Sequence, residues 1–217
     1  MRIIIDKKRK RGESGNTLVE FALCLTVLTP LTLGLFSVGM NLTRNMQVTQ
    51  VSRSTGLMYV RQIDFSILQN QRLIVRLTNG LGMQLNANYD PDPNGRGVVI
   101  VSQVTVPSDN DCTGAGLTLG ECTNRGIPVI TNRLRFGNTT LRTSELGQPP
   151  ANLMAADGSV TANTYLTNPA MRAANFGSII TLNATEIAYI TEVYFSSPDY
   201  DLPGWMTNTG VYARTIY

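Results

Sequence analysis

The side chains able to do chemistry are few and unevenly placed. The chain has no histidine, which excludes a Ser-His-Asp or Cys-His nucleophile and a His-ligated metal. Its three lysines, Lys7, Lys8 and Lys10, all lie in the first ten residues. No later lysine can therefore grip a phosphate or form a Schiff base, and without a Gly-Lys pair there is no phosphate-binding loop. Gly114-Ala-Gly116-Leu-Thr-Leu-Gly120 is glycine-rich but follows a cysteine, and it reads as a linker. Glu186 and Glu192 have even spacing on an expected strand and so could share a face. Two carboxylates suffice for glycoside hydrolysis, but the plainer reading is a pair of solvated strand carboxylates. Asp90-Pro-Asp92-Pro-Asn94-Gly95 matches the first half of a calcium loop. The position that should hold a bidentate glutamate is Val101, so the segment reads as a turn. No metal site and no cofactor are expected.

The three cysteines differ in context. Cys24 sits in an apolar run and reads as a packing residue. Cys112 and Cys122 stand ten apart in one polar, glycine-rich loop. In an oxidising compartment that spacing favours a local disulfide. A zinc pair is disfavoured, because without histidine only carboxylates could complete the four ligands.

One further carboxylate is placed where chemistry must answer for it. Glu20 stands at the head of 23 uncharged residues, Phe21 to Thr43. A charge without a partner in a bilayer costs roughly 2.5–3.5 kcal/mol or more. The run is long enough to span, since a helix of about 20 residues crosses the hydrocarbon core. Upstream, Arg2, Lys7, Lys8, Arg9, Lys10 and Arg11 stand against Asp6 and Glu13, a net +4 in residues 1–15, while the whole chain carries +3. The rest is therefore slightly acidic, at −1. Cations gathered ahead of an apolar run are a topology signal, with the basic end retained in the cytoplasm and the bulk exported. A nucleic-acid binder would spread them over a face instead, so no nucleic-acid partner is expected. Pro30, in mid-run, is expected to kink the helix, with Thr26 and Thr29 near the freed carbonyls. Gly34 and Gly39 would let other backbones approach.

Gly15-Asn16-Thr17-Leu18-Val19-Glu20 resembles the type IV prepilin signature, in which a glutamate is the fifth residue after the cleavage point. The longer string through Phe21-Ala22-Leu23 is similar to the TadE-like minor pilins, or pseudopilins, of tight-adherence (Flp, type IVb) pili. The Arg-rich, small-residue stretch Val51 to Arg61 fits the same family. So does a C-terminal end of strand, proline loop and closing Val211-Tyr-Ala-Arg214. Residues 107–185 resemble nothing recognised. The resemblance implies processing by a prepilin peptidase between Gly15 and Asn16. It implies a structural rather than enzymatic role, with other pilin or pseudopilin subunits, the pilus assembly machinery and the inner membrane as partners. It also gives Glu20 a part in subunit assembly: the new α-amine of Asn16 on one subunit neutralises Glu20 on its neighbour, removing two charges from lipid together. Two departures stand out. Asn16 is polar where many pilins have an aromatic, and Pro30 lies late in the run.

Other readings make different demands. A secretory signal peptide would cut near Ser37-Val38-Gly39 and leave Glu20 without purpose. A signal-anchor would keep Met1. A type II secretion pseudopilin would share the leader but serve another machine. A membrane-anchored or secreted binding protein would tolerate loss of Glu20, and an exported hydrolase would need Glu186 or Glu192.

These residues require positioning elements. The expected organisation is a basic leader at 1–15, a transmembrane helix at 16–43, a helical stem at 44–85 and an exported domain at 86–217. Leu42, Met46, Val51, Leu57 or Met58, and Ile63 recur at helical spacing and define the expected packing face. A second helix or turn-helix is expected at 63–81. Alternation predicts strands at 97–106 and 127–136, one or two more in 178–195, and a last one at 211–217. Residues 137–178 read as a long surface excursion with a short helix near 168–176, and 196–210 as a loop holding Pro198, Pro203 and Trp205. The fold class is α+β and pilin-like, with a long N-terminal transmembrane-plus-amphipathic helix packed on an antiparallel sheet.

Overall fold

The computed structural model describes residues 14–196 and 210–217. Most of the basic leader and the loop with Pro198, Pro203 and Trp205 lie outside the described residues. The chain forms two compact units, one ending at Thr43 and the other comprising Arg44–Tyr217. Helix α1 (Ser14–Val60) supplies the first unit and the opening of the second.

α1 runs through Pro30 as one helix of 47 residues. The threonine hydroxyls bond back onto helix carbonyls: Thr26 donates to Leu23 O at 2.7 Å, and Thr32 to Leu28 O and Thr29 O at 2.9 Å. Thr26 and Thr32 donate here, rather than the expected Thr26 and Thr29. Such bonds satisfy the hydroxyls within the helix itself.

In the second unit the rest of α1 lies on a four-stranded antiparallel sheet of order β2-β1-β3-β4. The strands are β1 (Gly97–Thr105), β2 (Val129–Gly137), β3 (Ile187–Phe195) and β4 (Val211–Ile216). The packed stripe of α1 is Val48, Ser52, Thr55, Gly56 and Tyr59, all buried. Leu57 and Met46 are exposed, and Val51, Met58 and Ile63 pack only partly. The expected face is thus rotated, and hydroxyls and a glycine replace its aliphatics. The sheet explains this. Ser52 Oγ bonds Thr215 Oγ1 at 2.8 Å and donates to Thr191 O at 3.3 Å. A Cβ on Gly56 would strike the Tyr217 ring, whose hydroxyl donates to Arg53 O at 3.1 Å. Small side chains let helix and sheet backbones meet closely; large aliphatics there would hold them apart.

α1 ends in a Schellman turn. Ile63 N–H donates to Met58 O, Gln62 N–H donates to Tyr59 O, and Gln62 takes φ +62°. The chain then reverses, and Phe65 stacks on Phe136 with centroids 5.8 Å apart. Helix α2 (Leu68–Leu77) buries Ile74 and Val75 in the same cluster as Val99, Val101, Val193 and Phe195. It is shorter than the expected 63–81 segment and is followed by a 3-10 turn at Asn79–Leu81.

β1 is buried along both faces as far as Ser102, where both are covered. Residues 137–178, expected as a surface excursion, lie in part against the sheet face opposite α1. Leu146, Ala173 and Phe176 are buried there with Val104, Ile130, Ala188 and Ile190. The excursion's helix α4 is Ala162–Thr167, earlier than expected. A bulge between Gln103 and Val104 keeps the pairing of β1 and β2 in step with both cores.

Candidate functional site

In the first unit α1 is apolar on every side. Leu18 is 71% exposed and Phe36 64%, and Phe21, Leu25, Leu28, Leu31 and Leu35 between them are exposed too. Only 6% of its most apolar 18-residue window is buried. A helix apolar all round needs lipid or other helices around it. The segment from Phe21 to Thr43 extends about 35 Å at 1.5 Å per residue, against a hydrocarbon core of about 30 Å. It is long and apolar enough to cross a membrane. Glu20 lies nearly two turns inside the helix start, and the Gly15–Asn16 peptide lies in the first turn. Cβ atoms added at Gly34 or Gly39 would meet nothing within 4 Å, so both positions offer bare backbone.

The other expected site lies in the second unit. Cys112 and Cys122 are joined, with Cα atoms 5.9 Å apart. Cys112 is in the short helix α3 (Asp109–Gly114), whose start is capped reciprocally by Ser108 and Asp111. Asn124, fully buried, ties this loop to α4: its amide donates to Tyr165 O and Asn168 O, and its Oδ1 accepts from Arg172 Nε. The disulfide loop and residues 161–172 are therefore one braced body. Breaking the bond should cost somewhat under ~3 kcal/mol from the entropy of so short a closure. A Cys112→Ala/Cys122→Ala double variant, followed by urea unfolding, should show the same loss that reductant produces in the wild type.

The Asp90–Gly95 segment is a turn. Asp92 Oδ1 accepts the Asn94 N–H at 2.8 Å, and Asp90 pairs with Arg72 at 3.5 Å. Val101 is fully buried in β1, so the segment lacks the carboxylate of the twelfth loop position. Among the described residues no cluster of acidic, cysteine or histidine side chains could hold a metal.

Glu192 is not a solvated carboxylate. It is 2% exposed, on the sheet face away from α1. Its Oε1 accepts the Tyr212 hydroxyl at 2.8 Å and the Glu145 N–H at 3.1 Å, and its Oε2 accepts Ser144 Oγ. Arg142 stacks 4.1 Å over Tyr212 and pairs with Glu145, which also meets Arg214 at 3.4 Å. Arg133, 4% exposed, donates to Ser102 Oγ and Gly147 O. Burial pushes its guanidinium down to about 10, and the Glu192 charge partly opposes that shift. Burial, then Glu192, raises the Tyr212 phenol far above its usual range. With both oxygens engaged, Glu192 fastens residues 142–147 to the sheet. Glu186, exposed and bonded to Asn183, lies six residues away, about 20 Å along an extended strand. A glycosidase pair needs roughly 5–10 Å, so these two do not form one. The signal for Glu192 was its setting: Ile190, Thr191, Val193 and Phe195 surround it in a strand buried on both faces.

Residues 15–56 match the family model described as TadE-like protein. The match is about a fifth of the chain and runs from Gly15 through the apolar segment to Gly56. No curated protein and no solved structure matches the chain.

Proposed function

We propose that this chain is a minor pilin or pseudopilin that takes part in assembling a Tad/Flp-type pilus. A prepilin peptidase removes residues 1–15, and α1 holds the mature chain in the cytoplasmic membrane. The basic end faces the cytoplasm, and Arg44–Tyr217 lies outside, with incorporation into a surface pilus. The role is structural. The observation that carries the reading is that Gly15 and Glu20, at processing-and-pairing spacing, open both the all-round apolar helix and the stretch matched by the TadE-like family model. Support for the topology comes from the net +4 of residues 1–15 ahead of 23 uncharged residues.

Intact mass and terminal sequencing of membrane and sheared-surface fractions test this. The expected chain starts at Asn16. A start near Met40 would make the protein an ordinary secreted domain, and a retained Met1 would make it a signal-anchored one. Either result removes the pilin reading.

A further inference from the structure

α1 covers its sheet face only as far as Tyr59, which donates to Asn132 Oδ1 at 3.1 Å and meets the Tyr189 ring edge-on at 5.4 Å. Gln103 pairs with both Asn132 and Tyr189, so it marks the limit of that cover. Beyond it, Thr105 and Ile187 continue the same face, and Ile187 is 46% exposed. Here the sheet floors a cleft of about 250 Å³, walled by Asp111 from α3 and Tyr165 from α4.

We infer that this cleft binds an uncharged, polyhydroxylated ligand, one ring of a neutral saccharide. The lining decides the class. It has no cationic side chain to neutralise an anion. An apolar ligand would strand polar groups that are ready to bond. The Gln103 amide makes no hydrogen bond among the described residues, and both bonds of Asp111 to Ser108 use Oδ2, leaving Oδ1 open. The Gln103 amide offers donors and an acceptor, while Asp111 Oδ1 and the oxygens of Thr105 and Thr131, whose protons go to Glu186 O and Gln103 O, offer acceptors, as sugar hydroxyls require. Tyr165 supplies an aromatic wall for the C–H face of a ring. Its phenol is raised by burial and then by the Asp111 charge, which places the two walls in electrical contact. The volume falls below the roughly 300–1,000 Å³ of drug-sized pockets, a fit for one ring of a longer chain.

The walls are preorganised. The Cys112–Cys122 bond and the Asn124 and Arg172 bonds hold α3 against α4. On the rim, Thr185 is held at φ +72°, a conformation that a β-branched residue adopts only under constraint. The inference rests on Arg44–Tyr217 alone and is independent of how the N-terminus is processed.

The test uses the full chain in lauryldimethylamine oxide micelles, which carry no sugar head group, on an array of neutral and anionic oligosaccharides. Hits are titrated calorimetrically with the free oligosaccharide. Neutral glycans should bind, and Gln103→Ala and Tyr165→Ala should each weaken binding at least tenfold. Tyr89→Ala, at an exposed position outside the cleft, should bind as the wild type does, and thermal melts establish that each variant is folded. Should Tyr165→Ala not fold, Gln103→Ala decides. Binding to no neutral glycan, binding only to anionic ones, or affinity held within twofold in folded Gln103→Ala would overturn the assignment.

Discussion

Glu20→Gln is expected to leave the protein in the membrane but to remove it from sheared filaments by a factor of 100 or more. The substitution is nearly isosteric and spares the apolar surface that inserts α1, so insertion should persist or improve. What changes is the match between subunits. In the proposed assembly the α-amine of Asn16 enters an apolar environment against a neighbour's carboxylate. Deleting one partner of a buried pair leaves the other charge uncompensated, at about 3–5 kcal/mol. At 1.36 kcal/mol per decade that is roughly two to nearly four orders of magnitude in incorporation. Glu20→Asp keeps the charge but shortens the reach, and should fall between. Quantifying the protein in membrane and sheared fractions by immunoblot separates the effects. Equal recovery of Glu20→Gln and wild type in filaments would remove Glu20 from assembly, and loss from both fractions would show a folding or insertion defect instead.

The sequence disclosed the parts whose physics is local. An uncharged run of 23 residues can be little other than a spanning-length helix, and the alternation of Val98 to Thr105 is that of a strand on any backbone. What it concealed depends on partners far along the chain. The packed face of α1 could not be chosen from hydrophobicity, because Ser52 and Gly56 are selected by Thr215 and Tyr217, some 160 residues away. Residues 137–178 looked solvated because their burial falls on isolated positions, Leu146, Ala173 and Phe176, separated by turns and without periodicity. The cleft at Gln103 was equally hidden, since its floor and walls come from β1, α3 and α4, which the fold alone brings together. The Gly15-to-Glu20 spacing was legible because it is read along the chain.

Glu192 tests the concealed part most directly. Glu192→Ala should lower stability by about 3–5 kcal/mol, and the melting temperature by roughly 10–15 °C for a domain of this size. Three donors lose their acceptor: Ser144 Oγ, the Glu145 N–H and the Tyr212 hydroxyl. Buried donors without partners are costly, and the Arg133 guanidinium loses the charge that offsets its desolvation. Glu192→Gln separates these causes. Its carbonyl can still accept Tyr212 and Glu145, and its amide can donate to Ser144, so the bonds survive while the charge does not. About half the loss is expected to remain. Glu186→Ala, exposed and just ahead of the same strand, should leave the melt almost unchanged. The damage from Glu192→Ala should begin in one place, because the carboxylate joins residues 142–147 to β3 and β4. Proteolysis should therefore open the 138–150 segment before the sheet, and hydrogen exchange there should quicken while the Val99–Val193 core stays protected. Uniform loosening of both faces would assign Glu192 to the general core. A melt within 2 °C of wild type would mean that these three bonds contribute little to holding the segment on the sheet.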